Sequence, residues 1–125
     1  MYTYEYKMKH SGYKCNFGCP VEAALEAISG KWKGVILYHL QGDTRRFNEL
    51  RKLIPDITQR MLTKQLRELE ADKIIKRKIY PEIPTKVEYS MTDFGVTLKP
   101  VIKSLQEWGV KYIEELEDIR EHIQR

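Results

Sequence analysis

An α+β fold is predicted for this chain of 125 residues, and three observations predict it. Helical periodicity fills the first half of the chain, and a tight Pro55-Asp56-Ile57 turn separates two of the helices. The pattern then changes to that of two strands, over residues 74–80 and 87–91, on either side of a proline-containing turn. A long helical pattern ends the chain. A helix-turn-helix followed by a hairpin is the order of a winged helix-turn-helix.

The first two helices are bounded by proline and glycine. Pro20 suits the first position of a helix, because the N–H that proline lacks has no partner there. Gly30 ends this helix, and a second helix over residues 31–41 ends at Gly42. The second helix has such a wide apolar face that we expect it to be buried in the core.

A short extended piece at residues 44–47 leads into a third helix. Asn48 is the expected N-cap, since an asparagine side chain accepts a hydrogen bond from an unpaired backbone N–H of the first turn. We expect the helix to cover residues 49–54 and to end at Pro55.

The fourth helix, which continues to about residue 72, has the most specific signals. Thr58 is its predicted N-cap, and Ile57 and Leu62 occupy the two positions of a hydrophobic staple. Leucines then recur at the i, i+4, i+7 spacing of a stripe that faces a core. These leucines are Leu62, Leu66 and Leu69.

The opposite face of the fourth helix carries cations and an amide. At about 100° per residue, Arg60, Lys64 and Arg67 lie on the far side from the leucines. Gln59 and Thr63 lie on the flank between. Such side chains bind DNA phosphates and the base edges of the major groove, although a merely solvated charged face is the alternative for an isolated helix. The other predicted DNA contacts are Arg45, Arg46, Thr58, Lys78 and Lys86.

The charge is unevenly distributed along the chain. The formal net charge is +4, and residues 43–90 hold twelve Lys and Arg against eight Asp and Glu, whereas residues 107–125 hold three against six. A basic middle segment suits a polyanion such as double-stranded DNA. The N-terminal segment is charged and the apolar runs are short, so we expect no secretory signal, no membrane span and a cytoplasmic protein.

The C-terminal helix is expected to follow Thr92, its N-cap, and to be kinked or interrupted at Pro100. From Leu98 its apolar positions alternate in steps of four and three, which is the heptad pattern of a helix that packs against another helix. This seam predicts a homodimer, and a core helix packed within its own chain is the alternative. The predicted interface residues are Leu98, Ile102, Leu105, Gly109, Tyr112 and Leu116.

Motifs for catalysis and metal binding are absent from the sequence. There is no nucleophile–base arrangement, glycine-rich phosphate loop or His-Glu-x-x-His helix, so we expect neither an enzyme nor a cofactor. Cys15 and Cys19 lack a second Cys/His pair at ligand spacing, which argues against zinc. Cys19 stands just before Pro20, where the positive end of a helix stabilises a thiolate.

Five segments, spread over about residues 19–109, resemble the HxlR-type branch of the MarR-like regulators. They are Cys19-Pro-Val-Glu22, Ser29-Gly-Lys-Trp-Lys33, Arg45-Arg-Phe-Asn-Glu-Leu50, residues 57–70 and Tyr80-Pro-Glu-Ile-Pro-Thr-Lys-Val-Glu-Tyr89. The resemblance implies a homodimer on a pseudo-palindromic operator, with the terminal helices as the dimer interface. It also implies that the cysteine before the proline, Cys19, senses electrophiles or oxidants. Cys15 lies outside the motif and is a candidate to resolve an oxidised Cys19; the alternative is that Cys19 is a small packed side chain without a role.

The sequence thus predicts an N-terminal arm, residues 1–18, and a winged-helix domain, residues 19–125, that includes a C-terminal dimerisation helix from about residue 92. The predicted function is a sequence-specific transcriptional regulator that binds double-stranded DNA, a repressor, with redox or electrophile control through a thiol. A winged-helix protein-interaction module and a small-molecule sensor without specific DNA binding are the alternatives.

Overall fold

The computed structural model describes residues 19–124, in six helices and one two-stranded sheet. The helices are α1 (Cys19–Ala27), α2 (Lys33–His39), α3 (Phe47–Leu53), α4 (Gln59–Ala71), α5 (Asp93–Val96) and α6 (Lys99–Gln124), and the strands are β1 (Ile75–Tyr80) and β2 (Lys86–Met91). The predicted winged helix-turn-helix is confirmed: α3 and α4 form the helix-turn-helix, and the hairpin that follows is the wing. The predicted arm, residues 1–18, lies outside the described residues.

An apolar core joins the helices to the hairpin. The three leucines of the α4 stripe are at most 1% exposed, and so are Ile36 and Leu37 of α2 and its C-cap residue, Leu40. The other core residues are Leu50, Ile54, Ile57, Ile74, Ile75, Met91 and Ile102. Burial of this apolar surface is the main favourable contribution to folding, and it determines how α4 is rotated about its axis.

The third helix begins two residues earlier than the sequence predicted. Its N-cap is Arg46, with extended backbone angles (φ −88°, ψ 162°), and not Asn48, which lies in the first turn. The Arg46 backbone N–H donates a hydrogen bond to the Glu49 carboxylate at 2.7 Å. The earlier start also brings Phe47 into α3, where it packs against the core. These two contacts outweigh the capping preference of asparagine.

The helix predicted from residue 92 is divided into α5 and α6, which confirms the expected interruption near Pro100. Thr92 is the N-cap of α5: its Oγ1 accepts a hydrogen bond from the Gly95 N–H at 2.9 Å and donates one to the Lys73 carbonyl at 2.7 Å. A Cβ at Gly95 would collide with the Ile74 carbonyl, so the close packing of α5 requires glycine here. Pro100 lies in the first turn of α6, where its missing N–H is tolerated.

The wing is an antiparallel hairpin with regular register along its whole length. Its turn, residues 81–85, contains a cis peptide bond between Ile83 and Pro84. Arg45 joins the edge of the sheet through two backbone hydrogen bonds with Tyr89, of 2.9 and 2.7 Å. The base of the wing is therefore tied to the segment that leads into α3.

Candidate nucleic-acid interface

The N-terminal end of α4 is held by a cap and by two buried side chains. The Met61 N–H donates a hydrogen bond to Oγ1 of Thr58 at 3.1 Å, which confirms Thr58 as the N-cap. Ile57 and Leu62, the two residues of the predicted staple, are 3% and 0% exposed. Because the start of α4 is held in this way, its solvent-facing residues have defined positions.

The solvent-facing surface of α4 is formed by the residues that the helical projection placed away from the leucines. A shallow concave surface is lined by Gln59, Arg60, Thr63, Lys64, Arg67 and Glu68. Thr63 and Glu68 are half-buried, and the others are exposed. The Thr63 hydroxyl donates to the Gln59 carbonyl at 2.9 Å, so its oxygen remains available as an acceptor. The surface thus offers guanidinium, ammonium and amide donors, which suit phosphates and base edges.

The acidic residue on this surface is paired with a buried lysine. Nζ of Lys33, at the start of α2, lies 2.8 Å from Oε1 of Glu68, and the Lys33 side chain is only 8% exposed. Among residues 20–123, Lys33 is the one buried charged residue. Its hydrogen bond, and then its charge, hold the pKa of Glu68 below the ordinary value. Sequence reasoning missed this contact between α2 and α4; its only signal was a lysine within an apolar helix.

The two arginines before α3 have different surroundings. Arg45 is half-buried: its Nε donates to the His39 carbonyl at 3.1 Å, and its Nη2 lies 3.2 Å from Oδ2 of Asp43. Burial, and then the Arg45 charge, lower the pKa of His39. Arg46 is exposed to solvent. Arg45 therefore joins the end of α2 to the edge of the sheet, whereas Arg46 presents a cation at the surface.

The two predicted wing lysines lie around one aromatic ring. Nζ of Lys78 and Nζ of Lys86 lie 4.9 and 4.8 Å from the centre of the Tyr80 ring. The Tyr80 hydroxyl donates to Oε1 of Glu88 at 2.8 Å, and Lys86 lies 3.4 Å from Oε2. The tyrosine hydrogen bond, more than Lys86, holds the pKa of Glu88 below its ordinary value. Both wing cations are thus held close to the hairpin turn.

The predicted heptad seam of α6 is divided between the core and the surface. Ile102 is 3% exposed and Leu98 packs against the core, so these two predicted interface residues belong to the packing of their own chain. The exposed part of the seam begins at Leu105, which is 48% exposed. Further along, Tyr112 is 50% exposed and its ring stacks on that of Trp108, with centres 5.1 Å apart. The seam residues Gly109 and Leu116 are half-buried.

Other apolar side chains are exposed beside the start of this seam. Gly34, Val35 and Tyr38 of α2 line an open groove together with Leu105 of α6. On α1, the side chains of Val21 and Leu25 are 62% and 59% exposed. Within the described part of the chain, three helices, α1, α2 and α6, therefore present exposed apolar side chains.

The two cysteines are placed differently with respect to the described part of the chain. Cys19 is the first residue of α1, one residue before the predicted helix start, and Cys15 lies outside the described residues. Within residues 19–124, no group of three or more His, Cys, Asp or Glu side chains could hold a metal ion. In the same part of the chain, no helix combines the length and the apolar character needed to cross a membrane.

Comparison with known proteins places this arrangement in a family. Residues 27–117 match the family model of HxlR-like helix-turn-helix proteins. The chain belongs to the HxlR-like family. This HxlR-like chain is 59% identical, over 102 residues, to the uncharacterized HTH-type transcriptional regulator YdeP of Bacillus subtilis; the match covers 82% of this chain and 80% of YdeP.

Two solved structures resemble the HxlR-like chain closely. The redox regulator HypR in its reduced form has a TM-score of 0.76 and 54% sequence identity, over 79% of this chain and 98% of HypR. The transcriptional regulator YodB from B. subtilis, in its reduced form, has a TM-score of 0.67 and 34% identity, over 82% of this chain and 97% of YodB. The HxlR-like chain is thus a transcriptional regulator with a winged helix-turn-helix fold.

Proposed function

We propose that this HxlR-like regulator is a repressor that binds double-stranded DNA sequence-specifically through α4. The observation that carries the proposal is the orientation of α4: its leucines are buried, so Gln59, Arg60 and Lys64 face the solvent from its first two turns. Arg46, Lys78 and Lys86 add cations on neighbouring elements, and Thr58 adds a hydroxyl at the helix start. In a winged helix the N-terminal residues of this helix contact base edges, while surrounding cations bind phosphates. Such a regulator acts on DNA in the cytoplasm.

The first test is the salt dependence of binding to a natural operator, which is identified by mapping the DNA that the protein protects upstream of its own gene. The slope of log affinity against log salt is expected to be about −0.9 for each phosphate neutralised. Binding that does not change with salt would contradict the DNA-binding proposal and favour the protein-interaction alternative.

The second test concerns Arg60 and Lys64. Arg60→Ala and Lys64→Ala should leave the unfolding transition nearly unchanged, because both side chains are exposed. Each should lower operator affinity. If the side chain reads a base, its loss should cost about 1–3 kcal/mol of binding free energy and weaken the sequence preference at one operator position. If it contacts a phosphate, its loss should weaken binding to all sequences alike. Lys111→Ala, at an exposed lysine of α6, is the matched control. Normal operator binding by both α4 variants would show that another element enters the groove.

We further propose a homodimer that packs through α1 and α6, on a pseudo-palindromic operator. The heptad spacing of exposed apolar residues continues from Leu105 through Tyr112 to Ile123, and a partner helix would cover it. Gly109 supports this: a glycine inside a helix costs roughly 0.5–1 kcal/mol relative to alanine. A Cβ at Gly109, or at Gly34 in the neighbouring groove, would meet no atom within 4 Å in the described part of the chain. Packing inside the chain therefore requires neither glycine, whereas the close approach of a second copy gives a reason for both.

Finally, we propose that Cys19 is a regulatory thiol. It begins α1, whose exposed Val21 and Leu25 belong to the proposed dimer surface. A thiolate stabilised at a helix N-terminus reacts readily with quinones, aldehydes and hypohalous oxidants. The similarity to HypR, a redox regulator, supports the same role here. A shift of α1 against the partner chain would change the spacing of the two α4 helices, which must match about one turn of DNA.

The test of the thiol is operator binding before and after mild diamide or quinone treatment. Wild type and Cys15→Ser should release the operator, and Cys19→Ser should not. If all three proteins respond equally, or if the wild type does not respond, Cys19 is not the sensor.

A further inference from the structure

A cleft lies between α4 and the base of the wing. Its volume is about 300 Å³, and its polar lining comes from Gln59, Thr63, Arg67, Glu70, Arg77 and Tyr89. The first three of these also line the concave surface of α4 described above. The cleft therefore opens directly onto the proposed DNA-binding surface.

Two of the cleft residues, Arg77 and Tyr89, come from the wing. They stand directly opposite each other in the hairpin register, so their side chains project from the same face of the sheet. Since both line the cleft together with Arg67 of α4, that face is turned towards α4. Neither Arg77 nor Tyr89 is in the set of DNA contacts that the sequence predicted, because their position beside Arg67 depends on how the hairpin packs.

Among residues 19–124, the Tyr89 hydroxyl has no hydrogen-bond acceptor. The residue is half-buried, and within the described part of the chain its hydrogen bonds are those of its backbone. Burial raises the pKa of Tyr89; among the smaller effects, the Arg77 charge lowers it, the Glu70 charge raises it and the Arg67 charge lowers it. The hydroxyl thus keeps its proton, and both guanidinium groups lie close enough to act on it electrostatically.

The charge of the cleft favours an anion. Nε of Arg77 lies 3.5 Å from Oε2 of Glu70, and the two side chains are 45% and 36% exposed. An ion pair exposed to this extent contributes little to stability, so Arg77 can exchange Glu70 for another anion. Arg67 has no ion-pair partner among the described residues. Two guanidinium groups and one carboxylate leave a net positive charge.

We propose that this cleft is a phosphate site, in which Arg67, Arg77 and the Tyr89 hydroxyl hold one backbone phosphate of the operator. In the free protein Arg77 pairs with Glu70, and the phosphate takes the place of Glu70 on binding. Charge-assisted hydrogen bonds from a guanidinium to phosphate are short and directional, so this contact sets the register of α4 on the duplex without reading its sequence. The inference rests on the proposed DNA-binding function. A free inorganic anion is the other source of the same chemistry, and the experiments below separate the two.

Arg77→Ala is the principal variant. It should weaken binding to the operator and to unrelated duplexes by the same factor, on the order of tenfold. It should also reduce the salt slope by about 0.9 per cleft, or about 1.8 for a dimer. Arg77→Lys should keep the slope and lose part of the affinity, because lysine retains the charge but not the forked donor geometry. Lys111→Ala, which removes one charge from the surface of α6, should leave the slope unchanged.

Glu70→Gln and Tyr89→Phe test the other two parts of the site. Glu70→Gln should tighten binding to every duplex, since it releases Arg77 and removes a negative charge near the phosphate. Tyr89→Phe should weaken binding to every duplex while leaving the backbone pairing with Arg45 intact. If Glu70→Gln does not tighten binding, Glu70 and a phosphate do not compete for Arg77, which would contradict the proposed site.

A finer test replaces single operator phosphates, one at a time, with uncharged methylphosphonates. When the neutral group replaces the phosphate that the cleft binds, Arg77→Ala should lower the affinity hardly any further. On every other duplex it should lower the affinity by its full factor. A titration of the free protein with inorganic phosphate at constant ionic strength, followed by the NMR signals of the Tyr89 ring, provides the second arm. Saturable phosphate binding that Arg77→Ala abolishes, with no coupling to any operator position, would overturn the assignment in favour of a free anion.

The outcomes distinguish this inference from the proposed function. If the wild type binds the operator with a steep salt slope, but Arg77→Ala and Tyr89→Phe keep its affinity and slope, the phosphate site is refuted and DNA binding stands. If the wild type binds no duplex at low salt, the proposed function itself is refuted.

Discussion

Among single residues, Lys33 and Glu68 form the contact whose effect on stability depends most clearly on pH. The pKa of Glu68 is lowered in the folded chain, first by the hydrogen bond from Lys33 and then by its charge. At a pH between the folded-state pKa and the ordinary pKa, the unfolded chain binds more protons than the folded chain. Lowering the pH in this range therefore favours unfolding. The contribution of the pair is therefore complete above the ordinary glutamate pKa of about 4.3 and is lost as the pH falls through the lower folded-state value.

Glu68→Gln should therefore unfold more readily than the wild type at neutral pH, because Lys33 remains buried without its carboxylate partner. The difference should shrink as the pH falls from about 4.3 through the lower folded-state pKa of Glu68, because wild-type Glu68 becomes protonated over this interval. Urea unfolding of the wild type and of Glu68→Gln, at neutral and at acidic pH, measures this difference in the free energy of unfolding. Glu114→Gln, at an exposed position of α6, is the control and should show no such dependence. A difference between Glu68→Gln and wild type that is the same at both pH values would refute the ion pair.

Among the elements, α4 ends in a residue with an unusual backbone conformation. Lys73 follows the C-cap residue Asp72 and has a φ of 61°. Its N–H donates to the Glu70 carbonyl at 3.0 Å, and the Ile74 N–H donates to the Leu69 carbonyl at 3.0 Å. These two bonds form a Schellman motif, in which the left-handed position is usually glycine. A lysine there is disfavoured because its Cβ approaches the following carbonyl oxygen.

Lys73→Gly should raise the free energy of unfolding by up to about 1 kcal/mol. Glycine removes the steric cost of the left-handed conformation, and this gain exceeds the entropic cost of the greater backbone freedom that glycine has in the unfolded chain. The hydrogen bond from Thr92 is kept, since it goes to the backbone carbonyl of residue 73. The measurement is the urea midpoint at unchanged slope. Lys52→Gly, inside α3, is the control and should lose roughly 0.5–1 kcal/mol. A lower midpoint for Lys73→Gly would contradict the argument.

For the whole molecule, the exposed apolar surface of α1, α2 and α6 leads to a prediction about assembly. Leu105 lies in the groove between α2 and α6, at the start of the exposed seam. Leu105→Glu should give monomers or insoluble protein, because it places a charge in the partner's apolar surface without a counter-charge. A monomer also loses the second half-site, so operator affinity should fall steeply.

Sedimentation of the wild type and of Leu105→Glu at micromolar concentration measures this effect. Lys111→Glu is the control, because it introduces the same glutamate at an exposed position of α6 outside the seam. This variant should remain a dimer. A wild type that sediments as a monomer would refute the dimer and leave the seam of α6 without a partner.

The sequence by itself determined the order of the elements and the two faces of α4. Thr58 as N-cap, the buried leucine stripe and the exposed Arg60 and Lys64 all follow from residues within a few turns of one another. A helix repeats every 3.6 residues and a strand every two, so the pattern of apolar residues predicts which side of an element is buried. The change of period at residue 74 predicted the wing for the same reason.

Only the tertiary structure decided which distant residues meet. The pairing of Lys33 with Glu68, and the placement of Arg77 and Tyr89 beside Arg67, depend on how α2 and the hairpin pack on α4. A lysine or arginine has the same local pattern in the sequence whether it is solvated or buried against a carboxylate. Propensity and periodicity are properties of neighbouring residues, whereas a packing partner is selected by the burial of the whole core.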